Sequence, residues 1–203
     1  MKLYFTPTSP YVRKVMVTAH ETGLIERIET LFLRPTPVKA DPVLSSDNPL
    51  SKIPALLEGG KPPLYDSSVI CEYLDSLHGG KKVIPASGPE RWRVLRTQAL
   101  TDGILDAAIL VFYEVNHRPA ELHWSPWLEG QREKTQQGLD ALEKEVAHFG
   151  DDVDLAQICA GITIGWLEFR NVVGDLRSTR PGLFGWYDGF RKRPSMALTE
   201  PKG

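Results

Sequence analysis

Two hydrophobic patterns divide the chain. From Met1 to about His78 short apolar runs alternate with helical segments, whereas from Pro89 onward apolar residues recur at helical spacing almost throughout. The alternating KLYF at the N-terminus predicts a strand, residues Pro10 to Thr22 a helix closed by Gly23, and IETLFL a second strand. Strand, helix and strand in this order form a βαβ unit with parallel strands and a right-handed crossover. After an irregular stretch rich in Pro and Ser, IPALLE and PPLY flank Gly59 and Gly60, which predicts a hairpin. Asp66 then stands at an expected N-cap, and VICEYLDSL places Val69, Ile70, Tyr73, Leu74 and Leu77 on one helical face. The unit therefore reads βαβββα, a four-stranded mixed sheet flanked by helices.

Residues 79 to 89, GGKKVIPASGP, concentrate Gly, Pro and Lys and mark a linker. This gives a first domain over 1–79, a linker over 80–88 and an all-helical second domain over 89–203. In the second, one helix is expected from about Pro89 to Asn116, a second from Pro126 to Phe149, and a third from Asp154 through Ile158, Ile162, Trp166 and Phe169. The third is the most apolar and is expected to be the buried axis of a bundle, with Leu183 to Arg191 supplying a further short helix before Pro194. Asp154 and Gln157 have the spacing of a capping box, the acid serving the first-turn amides and the glutamine reaching back to the cap.

Composition narrows the function classes. A net charge of −2, with 24 Lys and Arg spread among 26 Asp and Glu, gives no footprint for nucleic acid or an acidic membrane surface. The two cysteines, Cys71 and Cys159, lie far apart inside apolar helical patterns and suggest buried thiols, neither a disulfide framework nor a metal cluster. The N-terminus lacks a basic stretch followed by an apolar segment, and no run has the length of a membrane span, so a cytoplasmic location without membrane or metal is expected.

Candidate chemistry sits at three junctions. The first is TSPYVR, residues 8 to 13, directly after the first strand. Pro10 suits the first helical position, which puts Ser9 at the N-cap, beside unpaired backbone N–H groups and the positive end of the helix dipole. Ser9 is there either as an ordinary cap or as a hydroxyl that stabilises a bound thiolate; Thr8 is the alternative on the same turn, and Thr6 lies nearer the strand. The second is NPLSKIPAL, residues 48 to 56, in which a cis bond at Pro54 would expose the flanking backbone to an extended peptide. The third is YDSSVICEYL, where Asp66 and Ser67 at a helix start are a plain cap or a holder for an α-amino acid group.

SPYV at a strand-to-helix turn looks like the CPYC of glutaredoxins with both cysteines replaced, by Ser9 and Val12. Together, the three junctions, their order and the helical second half resemble a glutathione S-transferase across nearly the whole chain. The resemblance implies a thioredoxin-like α/β domain followed by an all-α bundle, a cytosolic homodimer, and glutathione as co-substrate with a small hydrophobic electrophile as partner. It implies that Ser9 activates the glutathione sulfur, that Ile53 before cis Pro54 pairs with the cysteinyl backbone, and that Asp66 and Ser67 bind the γ-glutamyl end. Lys52, Arg34 or Lys39 would reach the glycyl carboxylate. Asp102 resembles the acid some members extend across a dimer toward the γ-glutamyl ammonium, or is simply solvated. Tyr113, with His117 and Trp166, either lines the second-substrate pocket or belongs to the core. The other reading of the same fold is a non-catalytic glutathione-binding or regulatory protein.

Overall fold

The computed structural model describes residues 1–202, which form two units: one spans Met1–Ile84 and takes back the chain from Ala197 onward, and the other spans Pro85–Met196.

The first unit is organised by β1 (Lys2–Phe5). Leu3 and Tyr4 point to opposite faces of the sheet and are both buried, so this strand is covered on both sides. It pairs in parallel with β2 (Glu29–Phe32), from Lys2 opposite Glu29 to Phe5 opposite Phe32, and antiparallel with β3 (Leu56–Leu57), with Lys2 opposite Leu57. The crossover between β1 and β2 is α1 (Pro10–Glu21), which ends at Thr22 and turns through Gly23 at φ 70°. A second helix, α3 (Ser67–Ser76), packs on α1, and Thr18 donates its hydroxyl to Cys71 Sγ at 3.4 Å across that contact. Both helices are capped as expected, by Ser9 and Asp66.

The first unit departs from the sequence reading in three places. The sheet has three strands, in the order β2-β1-β3, where four were expected. Leu64 does pair with Leu56, each N–H donating to the other's carbonyl at 2.9 Å, but the pairing remains an isolated bridge. Pro62 and Pro63 lie immediately before it and have no N–H to donate, so the ladder cannot extend. The stretch read as irregular contains α2 (Pro42–Asp47), nucleated by Asp41, whose carboxylate accepts from the N–H groups of Val43 and Leu44 at 2.9 and 3.0 Å. Finally, Val83 and Ile84, expected in the linker, are buried in the first unit. The carboxylate of Asp75 accepts their N–H groups at 2.9 and 3.3 Å, which pins this stretch beneath α3 and moves the division to Pro85.

The second unit is helical among its described residues. Its long helix α4 (Gly88–His117) packs against both α5 (Ser125–Glu145) and α6 (Leu155–Arg170). Every residue of α6 from Leu155 to Leu167 is buried, the position its apolar sequence demands. Gly161 permits close approach: a Cβ there would lie 2.7 Å from the Phe190 ring. Two shorter helices follow, α7 (Pro181–Phe190) and α8 (Pro194–Leu198), the latter starting at the proline expected to end the preceding one. The capping box at α6 is half formed. Asp154 accepts from the Gln157 N–H at 3.0 Å and also pairs with Arg93 of α4, but Gln157 turns its amide to the Gly150 carbonyl. The preceding loop has a free acceptor there, which competes with the cap backbone. Among the described residues no helix is long and apolar enough to cross a membrane.

Asp154 thus caps the central helix and ties it to α4. Replacing it by alanine is expected to cost about 2 kcal/mol of unfolding free energy, at the upper end of an N-cap loss, seen as a lower urea midpoint with an unchanged m-value. The same substitution at Asp151, an exposed loop residue, should leave the midpoint unchanged.

Candidate functional site

The first unit brings the three sequence junctions together through strand register. Beyond the paired residues of β1 and β3, the Tyr4 N–H donates to the Ala55 carbonyl at 3.0 Å. Pro54 and Ile53 come directly before Ala55, as Phe5 and Thr6 come directly after Tyr4. On the other side of β3 Leu64 bridges Leu56, and Asp66 and Ser67 follow two and three residues after it at the start of α3. The turn after β1, the Ile53–Pro54 step and the start of α3 therefore share one end of one sheet.

At the first position Thr6 accepts the Ser9 N–H at 3.3 Å, and Ser9 accepts the Arg13 N–H with its own carbonyl at 3.0 Å, beginning α1. The Ser9 hydroxyl oxygen accepts from the Val12 N–H at 3.3 Å, a long cap bond. Among the described residues no protein group receives the hydroxyl proton. The cap uses an oxygen lone pair and leaves the donor unspent, so capping and donation to a further atom are compatible roles. The first turn of α1 carries no acidic side chain, so its dipole is not offset by a local carboxylate.

The second position is a turn held from beneath. The Ile53–Pro54 bond is cis. Asn48, buried at the end of α2, donates from Nδ2 to the Lys52 carbonyl at 2.8 Å and accepts the Leu50 N–H at 3.1 Å. Ser51 adopts φ 51°, in the left-handed region, with its N–H on the Asn48 carbonyl and its Oγ accepting from the Asp41 N–H, both at 2.8 Å. Among the described residues neither backbone group of Ile53 has a protein partner, which leaves a free N–H and carbonyl for an extended ligand. Lys52 projects into solvent beside it.

The third position is the start of α3, after a cis Tyr65–Asp66 bond. Asp66 is exposed and accepts the Ser68 N–H on Oδ1 at 2.9 Å, leaving carboxylate capacity open. Ser67 is buried, and among the described residues its hydroxyl has no protein partner. Ile53 and Tyr65 both pack on the apolar cluster of Tyr4, Leu44 and Ala55, so the second and third positions rest on one foundation. The Tyr4 hydroxyl donates to Asp47 at 2.7 Å, and burial, followed by this carboxylate, pushes the phenol up to about 12.

Elsewhere the sequence candidates separate. Arg34 and Lys39 are exposed, and Arg34 lies over the Phe32 ring. Asp102 and Tyr113 belong to α4 of the helical unit, both half-buried. Tyr113 stands in an aromatic group with Phe112 and His117, and Trp166 packs edge-on to Phe112. Among the described residues no group of His, Cys, Asp or Glu is arranged to hold a metal ion. Sequence reasoning missed Asn48, Asp41 and the Tyr4–Asp47 pair. The Asn48–Pro49 step and Asp41–Pro42 were the available signals, a turn opener and a cap followed by proline at N1.

Residues 8–77 match the family described as Glutathione S-transferase, N-terminal domain, and residues 125–189 match Glutathione S-transferase, C-terminal domain. The uncharacterized GST-like protein YibF of Escherichia coli K12 is 34% identical over 204 residues, covering 99% of this chain and 98% of its own length. A solved glutathione transferase family member from Pseudomonas fluorescens Pf-5, with bound glutathione, is 45% identical with a TM-score of 0.96, covering 100% of this chain and 99% of its own. Another solved chain from that organism, with bound S-(propanoic acid)-glutathione, is 43% identical at a TM-score of 0.92 with the same coverage.

The raised Tyr4 phenol has a pH consequence. Its folded value lies above the ordinary value of 10.0, so its stabilising contribution is complete below pH 10 and is lost as pH climbs toward about 12. Urea midpoints of the unaltered protein should fall across that window, and Tyr4→Phe should show a shallower fall while being less stable at neutral pH.

Proposed function

The chain belongs to the glutathione S-transferase family, and on that premise we propose that it binds glutathione in the first unit and stabilises the thiolate for attack on a small electrophile. The observation that carries this reading is the shared sheet end: a hydroxyl with an uncommitted proton, an unpaired backbone step before a cis proline, and a capped helix start with spare carboxylate and hydroxyl groups. The relatives from Pseudomonas fluorescens, one holding glutathione and the other a glutathione S-substituted with propanoic acid, support both the ligand and substitution at sulfur.

In this reading the cysteinyl backbone pairs with the N–H and carbonyl of Ile53, across the turn fixed by Pro54. The γ-glutamyl ammonium meets Asp66, and its carboxylate takes the Ser67 hydroxyl and the free amides at the start of α3. Lys52 answers the glycyl carboxylate. Ser9 continues to cap α1 through its lone pair while its proton goes to the sulfur, assisted by the uncompensated dipole of α1. Serine does not ionise usefully, so its part is stabilisation: a charge-assisted hydrogen bond contributes about 1.5 to 3 kcal/mol, which lowers the thiol by roughly one to two pKa units. The thiolate then forms the S–C bond as the leaving group departs with its electron pair, and the thiol proton is released to solvent.

The remaining parts of the reading are a cytoplasmic homodimer in which Asp102 extends toward the γ-glutamyl ammonium of the partner's ligand, and an acceptor received by the helical unit near Tyr113. Light scattering tests the dimer, and a monomeric mass would remove the role given to Asp102.

Ser9→Ala is expected to raise the pKa of bound glutathione by about one to two units in an ultraviolet thiolate titration and to reduce kcat/KM at neutral pH roughly 10- to 100-fold. Glutathione affinity by calorimetry should change less than about threefold, since the other contacts remain. An unchanged thiol pKa together with unchanged turnover would reduce Ser9 to a helix cap. Tight glutathione binding without turnover of halogenated aromatics or organic peroxides would favour the binding-protein reading.

A further inference from the structure

The segment from Ala197 onward belongs to the first unit, and it meets α1 at a buried cation. Arg13 is 6% exposed, and its Nε donates to Thr199 Oγ1 at 3.3 Å across 186 positions of sequence. The same residue stands one turn after Ser9, and its backbone N–H donates to the Ser9 carbonyl at 3.0 Å. The side chain and main chain of Arg13 thus join the returning segment to the turn that presents the Ser9 hydroxyl.

Pro10 has no N–H, so the bonds that reach Ser9 from within α1 come from Val12, at 3.3 Å to the hydroxyl oxygen, and from Arg13, at 3.0 Å to the carbonyl. The first of these is long, and helix ends fray. An exposed arginine absorbs a disturbance at its tip by rotating its stem. A buried stem is packed into one set of rotamers, so a shift of the guanidinium passes to the Cα and from there to the first turn. Removing the Thr199 oxygen takes an acceptor from a buried donor, and the donor moves toward another because no water replaces the one lost. A small displacement is enough to matter, since a hydrogen bond from Ser9 to a sulfur depends on both its length and its angle.

We propose that Thr199 is a positioning residue for the thiolate site: through Arg13 it holds the first turn of α1, and with it the direction in which Ser9 offers its proton. The assignment rests on the transferase reading above and adds a control point far in sequence from the rest of the site. Thr199 acts through Arg13 and takes no part in bond making.

Thr199→Val is close to isosteric and removes the acceptor, whereas Thr199→Ser keeps it. In an ultraviolet titration of bound glutathione, the valine variant should raise the thiol pKa by about half a unit, less than Ser9→Ala, and the serine variant should restore it. For an electrophile that the unaltered protein turns over, kcat at neutral pH should fall about threefold with KM for glutathione nearly unchanged, and the loss should fade as pH rises past the thiol pKa. Hydrogen exchange at the Val12 and Arg13 amides should quicken about threefold or more in Thr199→Val, while the Tyr4 amide on β1 keeps its rate. In the double variant of Ser9→Ala and Thr199→Val, the pKa should rise no further than in Ser9→Ala alone, because the route runs through Ser9. An unchanged thiol pKa in Thr199→Val, no recovery in Thr199→Ser, or full additivity in the double variant would overturn the assignment while leaving the glutathione site intact. An unchanged pKa in Ser9→Ala, or failure of the unaltered protein to bind glutathione, would overturn both readings.

Discussion

The candidate site depends on backbone pairing on either side of β3. Because strands alternate their faces with a period of two residues, a slip of one residue would turn Tyr4 away from the cluster it anchors and send Ile53 to the wrong side of the sheet. The bonds from Tyr4 to Ala55 and between Leu56 and Leu64 fix that register from both edges. Everything at the sheet end is then positioned by covalent geometry from a paired neighbour: Ser9 by the turn after Phe5, Ile53 and Pro54 by Ala55, Asp66 and Ser67 by Leu64. The apolar cluster of Tyr4, Leu44 and Ala55 adds burial to this frame, with Ile53 and Tyr65 packed against it. The loop residues of the candidate site are thereby carried on the most buried strand of the unit.

The same economy of groups recurs at each position. Ser9 caps a helix with a lone pair and retains its proton, Asp66 caps another with one oxygen and retains the second, and Ile53 keeps both of its backbone groups. Structural and ligand-directed roles usually compete for the same polar atom, because a buried group left without a partner is costly. Here the division is by atom within one residue, so the cap at Ser9 leaves the hydroxyl proton available.

How much of this was readable in advance follows from the range of each interaction. The caps at Ser9, Asp66 and Asp154 were legible because a cap is a contact between residues two or three positions apart. The burial of α6 was legible from its uninterrupted apolar sequence. The short α2 was missed because six residues give too little periodicity, although Asp41–Pro42 announced it. The expected fourth strand failed for a local reason that had been in view: the two prolines of PPLY cannot donate. Gln157 was legible as a capping-box residue but turned to the Gly150 carbonyl instead of the cap N–H, a choice between two partners that spacing alone does not make.

By itself the sequence determined the two-part character of the chain, the helix starts, and the residue types available at the three junctions, since these follow from periodicity and from hydrogen bonds within a few residues. Tertiary structure decided what lies opposite what. Asn48 became the support of the Lys52 turn, and Asp75 drew Val83 and Ile84 into the first unit. Each outcome turns on which distant group occupies the next few ångströms, and a polar atom takes the best partner that packing presents. That choice is made by the folded arrangement, because burial removes water as the alternative partner.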